Sequence, residues 1–239
     1  MTAPLLRVSG LQKRFGGVLA VDGVDLDLAA GELHAVIGPN GAGKTTLIHL
    51  LSGALAPSAG TILLDGRDIT GLAMHRRVRL GLARSYQITS LFPAFTVLEN
   101  LALAVQGAGG GHDPARARAE LEAVGLARRA DQRAGALAHG ERRQLELGLA
   151  LAAGARILLL DEPMAGMAAE ETARIVALIE ALKGRRTILL VEHDMDAVFR
   201  LADRITTLVY GRVIASGAPD EIRRHPEVRR AYLGEEVVA

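Results

Sequence analysis

The segment Gly38-Pro39-Asn40-Gly41-Ala42-Gly43-Lys44-Thr45 constrains the fold more than any other stretch of this 239-residue chain. It matches the eight-position pattern of a phosphate-binding loop in full. An aliphatic run, Leu33 to Ile37, precedes it, and the amphipathic stretch Leu47 to Leu51 follows. Strand, glycine-rich turn and helix in that order belong to an α/β fold. The glycines let the backbone curl so that successive N–H groups face phosphate oxygens, and the helix adds its positive end. Lys44 is placed to reach the β and γ phosphates, and the Thr45 hydroxyl to ligate Mg²⁺. Thr46 belongs to the same nucleotide-binding set.

Further aliphatic runs recur at Ile157 to Leu160, Thr187 to Val191 and Ile205 to Tyr210. Without polar alternation, such runs suit strands buried on both faces of a mainly parallel sheet. The run at Ile157 ends in Asp161-Glu162-Pro163. A carboxylate at the C-terminal edge of a parallel strand sits where ligands bind in open α/β sheets. There Asp161 is expected to hold Mg²⁺ through its water shell, and Glu162 to act as general base on an attacking water.

Leu5 to Val8 and Val18 to Leu28, turning at Gly16-Gly17, read as an N-terminal antiparallel part, and Tyr210-Gly211-Arg212 as another turn between strands. A helix is expected from about Ala168 to Lys183, with Ile175, Leu178, Ile179 and Leu182 on one face. The stretch from Met74 to Ala153 is rich in Ala and Arg and reads as helical. Gly107 to Gly111 should form a flexible break within it, and Asp113-Pro114 a helix start. Leu145, Leu147, Leu149 and Leu151 alternate as in a strand, but the Ala content favours helix. The expected organisation is one domain over 1–239, with a helical subdomain at about 78–153 inserted into the sheet core.

Composition removes several function classes. Lys plus Arg is 28 against 27 for Asp plus Glu, a net charge of +1. That balance argues against nucleic-acid binding by bulk charge. With no Cys there is no disulfide framework, thiolate metal site or cysteine nucleophile. The longest apolar stretch, Leu147 to Leu160, is broken by Arg156 and is short of the ~18 residues that span a bilayer. The first ten residues show no basic region followed by an apolar run, so no secretory leader is expected. Aromatic residues are only 3% of the chain, so the core must be built from Ala, Leu, Val and Ile.

The phosphate loop and the acidic strand end alone fit many P-loop NTPases. Four further features resemble the nucleotide-binding subunit of ATP-binding-cassette (ABC) transporters. Leu137-Ala138-His139-Gly140-Glu141 looks like the signature motif preceding its helix, which would start near Glu141. Gln87, in Ser85-Tyr86-Gln87-Ile88, resembles the Q-loop glutamine. His193, in Val191-Glu192-His193-Asp194, resembles the switch histidine. Phe15, twenty-nine residues before Lys44, takes the place of the aromatic that stacks on adenine. The resemblance implies an α/β ABC cassette with a mainly parallel core sheet, an N-terminal antiparallel β part and an inserted helical subdomain.

It also implies ATP and Mg²⁺ as ligands, with Thr45, Gln87 and Asp161 near the metal and Glu162, His193 and Gln87 acting in hydrolysis. Gly38, Pro39, Asn40, Gly41, Ala42, Gly43 and Lys44 would cradle the phosphates. Two cassettes, identical or paralogous, would sandwich two ATP molecules, each phosphate loop facing the partner's signature. The implied partners are this second cassette, transmembrane permease subunits and, indirectly, a solute-binding protein. The implied location is the cytoplasmic face of the inner membrane, reached as a peripheral subunit.

The sequence departs from the commonest family pattern at three positions. Ala138 removes the signature hydroxyl, His139 replaces the first signature glycine, and Ala168 replaces the D-loop aspartate in Met164-Ala165-Gly166-Met167-Ala168. These features, with Phe92 to Leu101 and the end Pro226 to Glu235, resemble the cassettes of branched-chain amino acid importers and the related urea importers. The lipopolysaccharide-export cassette is the nearest rival. A soluble cassette ATPase and a nucleotide-regulated binding module without catalysis are the readings from other classes. The Arg-rich stretch Ala115 to Arg143 is expected to be a solvated face.

Overall fold

The computed structural model describes residues 3–84 and 91–233. Gln87 therefore lies outside the described residues. In chain order the elements are β1 (Leu6–Phe15), β2 (Val18–Leu28), β3 (Leu33–Ile37), α1 (Lys44–Ser52), β4 (Ala59–Leu64), β5 (Arg67–Asp68), α2 (Met74–Arg79) and β6 (Leu82–Arg84). There follow α3 (Val97–Val105), α4 (Pro114–Ala123), α5 (His139–Ala152), β7 (Ile157–Asp161), α6 (Ala169–Leu182) and β8 (Thr187–Val191). The last are α7 (Met195–Leu201), β9 (Arg204–Val209), β10 (Arg212–Gly217), α8 (Pro219–Arg224) and α9 (Pro226–Leu233). The chain divides into two compact units, residues 1–77 with 183–239 and residues 78–182.

The first unit holds two groups of strands. An antiparallel sheet runs in the order β2-β1-β4-β5. In its strands Leu6 and Val8 are buried while Arg7 and Ser9 between them are exposed, and Leu26 and Leu28 alternate with Asp25 and Asp27 in the same way. This is the alternation of a sheet with one face packed and one solvated. The other group places β3 between β8 and β9, parallel to both, with β10 antiparallel to β9. All five residues of β3 and of β8 are buried, as their uninterrupted aliphatic sequences require. Pairing of Val36 with Val191 aligns the C-terminal ends of β3 and β8.

The turn between β9 and β10 consists of Tyr210 and Gly211, with φ of 47° and 79°. Two positive φ values in a two-residue loop match the twist of a hairpin. Arg77 closes the far end of α1. Its guanidinium donates to the carbonyls of Leu50 (2.9 Å) and Leu51 (2.8 Å) at the helix C-terminus, and to those of Leu72 and Thr70. Burial lowers its pKa to about 10, with the Asp68 carboxylate acting in the opposite direction.

In the second unit β6 and β7 pair in parallel. The strand β6 corrects the expectation that the stretch from Met74 is helical throughout. Helix α3 starts with a capping box: Thr96 Oγ1 accepts from the Glu99 N–H, and Glu99 Oε2 accepts from the Thr96 N–H. Helical winding runs on through Gln106, and the break expected within Gly107 to Gly111 falls at Gly109, where the chain kinks with φ of 85°. Asp113 caps α4 through the Arg116 N–H (2.9 Å). The segment with alternating leucines is helix α5, which begins at His139, two residues before the expected start. The Arg-rich stretch is not all solvated, because Arg143 is buried and pairs with Glu146 at 2.9 Å.

Candidate functional site

The phosphate loop leaves β3 at Gly38 and enters α1 at Lys44. Its shape is set by close backbone packing. A Cβ on Gly38 would lie 2.2 Å from the Leu208 carbonyl oxygen, and one on Gly43 would lie 2.3 Å from that of Ala20. Gly43 has φ of 101° and is the N-cap of α1, with no side chain to bond the first-turn N–H groups. These N–H groups and the positive helix end make a site for an anion. The Gly211 N–H donates to the Ala42 carbonyl at 2.9 Å, so the β9–β10 turn braces the loop from one side.

Lys44 is only 6% exposed and folds over its own loop. Its Nζ donates to the Gly38 carbonyl at 2.7 Å and to the Pro39 carbonyl at 3.1 Å. Thr45 is exposed and Thr46 half-buried beside it. His193 follows β8 by two residues, and the P-loop starts one residue after β3. Since β3 and β8 are parallel neighbours, both sit at the same strand edge. The adjacent Asp194 caps α7 through the Ala197 N–H, which fixes where the chain turns after His193.

Phe15 ends β1 opposite Val18, two residues before the Ala20 that touches the phosphate loop. It is 47% exposed, and Lys13 Nζ lies 5.2 Å from its ring centroid. The ring is thus half open to solvent, with the Lys13 ammonium over it.

In the second unit Asp161 closes β7 and is 1% exposed. Arg84, at the end of β6, donates to its Oδ2 at 2.8 Å. The sequence reading missed Arg84, which the three-residue strand β6 is too short to signal. Glu162 follows with φ of 49°, a left-handed conformation that is costly for a side chain other than glycine. In the signature segment Leu137 and Gly140 are buried while Ala138 and His139 are exposed. The Ala138 N–H donates to Glu141 Oε2 at 3.0 Å, and the Gly140 N–H to Glu171 Oε1 at 3.0 Å. Glu171, which in sequence suits the N-terminus of the helix after Ala168, also reaches the signature segment, a contact the sequence does not show.

In the first unit the Thr45 hydroxyl, and in the second the Asp161 carboxylate, is a hard oxygen donor of the kind Mg²⁺ prefers. Among the described residues no three His, Asp or Glu side chains gather into a metal cage. Either oxygen alone is the kind of single protein donor that phosphate and water complete around Mg²⁺ in nucleotide sites.

A full phosphate-loop motif between a buried parallel strand and a helix defines a P-loop nucleotide-binding protein. The chain belongs to the ABC transporter family of ATP-binding cassettes, whose sequence pattern it matches over residues 21–165. Residues 212–238 also match the family described as branched-chain amino acid ATP-binding cassette transporter. The chain is 42% identical to the high-affinity branched-chain amino acid transport ATP-binding protein BraF of Pseudomonas aeruginosa, over 98% of this chain and all of that relative. The same figures hold for LivG of Escherichia coli, another high-affinity branched-chain amino acid transport ATP-binding protein.

Among solved structures, the ADP conformation of an ATP-binding cassette of an ABC transporter matches with a TM-score of 0.86 and 29% identity, covering 98% of this chain and all of that one. A nucleotide-free cassette matches at 0.85 and 30% identity, covering 97% and 100%. Among the described residues no helix is long and apolar enough to cross a membrane.

Proposed function

We propose that this chain binds and hydrolyses ATP to power the import of branched-chain amino acids through a membrane transporter. The observation that carries the reading is full-length similarity, at 42% identity, to subunits named for that transport. The match of residues 212–238 to the branched-chain cassettes favours this solute class over urea or lipopolysaccharide. The chain works as a peripheral subunit on the cytoplasmic face of the inner membrane, as one cassette with residues 78–153 as its helical subdomain. It pairs with a second cassette and with permease subunits that receive solute from a binding protein. Phe92 and Phe95 are stacked at 5.4 Å and exposed, and Asn100 holds the loop that carries them. Such a pair suits a groove for a permease helix.

In the proposed reaction Phe15 stacks on adenine and the N–H groups of residues 38–46 receive the phosphates. Lys44 exchanges its two loop carbonyls for β- and γ-phosphate oxygens. Thr45, Gln87 and Asp161 would hold Mg²⁺, which would neutralise phosphate charge when bound. Arg84 fixes the Asp161 carboxylate. Glu162 accepts a proton from the water whose oxygen bonds to the γ-phosphorus as the bridging P–O bond to ADP breaks. His193 and Gln87 contact the γ-phosphate end, and Leu137, Ala138, His139, Gly140 and Glu141 approach it from the second cassette.

The test is Glu162→Gln compared with Lys44→Ala. Glu162→Gln should keep ATP affinity and lose turnover by roughly 10²- to 10⁴-fold, the span of a general base. Lys44→Ala should weaken ATP binding itself, by about 2–5 kcal/mol for a buried charge contact. Turnover close to wild type in the first, or undiminished affinity in the second, would contradict the assignment.

A further inference from the structure

Helix α5 begins with an N-cap that cannot cap. Ala138 has the extended backbone of an N-cap residue, φ −65° and ψ 166°, and no oxygen to accept a first-turn N–H. At this position Ser or Thr ordinarily accepts from the second or third helical N–H. The second helical residue is Gly140, and its N–H is satisfied by Glu171 Oε1 at 3.0 Å, from the first turn of α6. The other oxygen of the same carboxylate accepts the Ala168 N–H at 3.3 Å. Ala168 precedes α6 and also lacks a capping oxygen. One carboxylate thus serves the first turn of α5, which Ala138 leaves without a cap, and the N–H of Ala168 before α6.

We propose that Glu171 is a positioning residue that supplies the missing cap of the signature helix and ties the signature to the loop after Glu162. The inference rests on the reading of residues 137–141 as the signature of an ATPase. Two further observations support it. A Cβ on Gly140 would lie 2.9 Å from Glu171 Oε1, so glycine is what lets the carboxylate approach. Glu171 is held below its ordinary carboxylate range by the N–H groups of Gly140 and Ala168. Glu141 cannot replace it at Gly140, because its oxygens are engaged by the Ala138 N–H and by Arg129 Nε at 2.9 Å. With the Gly140 N–H satisfied, the signature loop keeps one conformation before it meets the partner's nucleotide.

The test is a double-mutant cycle in the full chain, pairing Glu171→Ala with Ala138→Ser, which restores an ordinary cap. Glu171→Ala should lower kcat for ATP roughly fivefold, the scale of a lost N-cap, and leave affinity for a fluorescent ATP analogue unchanged. In the Ala138→Ser background the same change should cost less than about twofold, because the serine hydroxyl takes over the Gly140 N–H. Glu171→Gln keeps one acceptor and should fall between wild type and Glu171→Ala; it replaces the alanine variant if that one does not fold.

Hydrogen exchange at Gly140 reads the contact without turnover. It should quicken in Glu171→Ala and return with Ala138→Ser. Equal losses in both backgrounds, or unchanged Gly140 exchange, would overturn the proposal. So would a rise in kcat, which would mean that the carboxylate competes with phosphate. Absence of ATP turnover in the wild-type chain would instead refute the ATPase reading, and the exchange measurement would still decide the role of Glu171.

Discussion

Glu162 holds a left-handed φ of 49° that only Asp65 and Tyr210 share among the described non-glycine residues. Asp65 and Tyr210 sit in turns between strands, where such a backbone is expected. Glu162 instead directly follows a buried strand that ends in Asp161. The conformation separates the two adjacent carboxylates, burying one and leaving the other partly open. The glycines of the phosphate loop divide by a similar local logic. Gly41 has φ of 79° but open space where a Cβ would go, whereas Gly43 combines φ of 101° with a 2.3 Å approach to backbone. Gly41→Ala should therefore cost about 1 kcal/mol of backbone strain, and Gly43→Ala about 2–4 kcal/mol, because the carbonyl of Ala20 must move. Urea unfolding and ATP titration of the two variants check this; equal effects would mean that close packing does not shape the loop.

At the scale of elements, the buried strands β3, β7 and β8 are legible in sequence because continuous aliphatic runs between turn residues have few other uses. The β9–β10 turn and the start of α4 are legible from Gly and from Asp-Pro for similar reasons. β6 is not: Leu82, Ala83 and Arg84 are too few to show a period, and only pairing with Ile157 to Leu159 makes them a strand. The start of α5 is misplaced in sequence because Ala138 gives no cap signal, the acceptor of the Gly140 N–H being Glu171, 31 residues beyond that glycine. Of the candidate site, the residues proposed to meet a ligand are readable from motifs, whereas Arg84 and Glu171 act through tertiary contacts with Asp161 and Gly140 that no local pattern encodes.

Arg77 is an element-scale case of the same kind. It is 1% exposed and satisfies the last carbonyls of α1, the helix that carries Lys44 at its other end. Arg77→Met keeps much of the volume but strands those acceptors, and should lower stability by about 2–4 kcal/mol. The urea midpoint would show it, and a shift under about 0.5 kcal/mol would mean that water replaces the guanidinium.

Residues 38–46, proposed to receive phosphate, lie in the first compact unit, and residues 137–141 lie in the second. The proposed pairing gives each nucleotide a phosphate loop from one chain and a signature from another, so a single chain supplies half of two sites. A near-neutral net charge of +1 offers little long-range repulsion against such self-association. Turnover should then depend on encounter between chains. Below the dimer dissociation constant the rate should rise with about the second power of protein concentration, approaching the first power as dimers saturate. ATPase assays over a hundredfold dilution series measure this directly. A first-power dependence throughout, from a species that sediments as a monomer, would mean that one chain completes its own site and that the residues of 137–141 serve no partner.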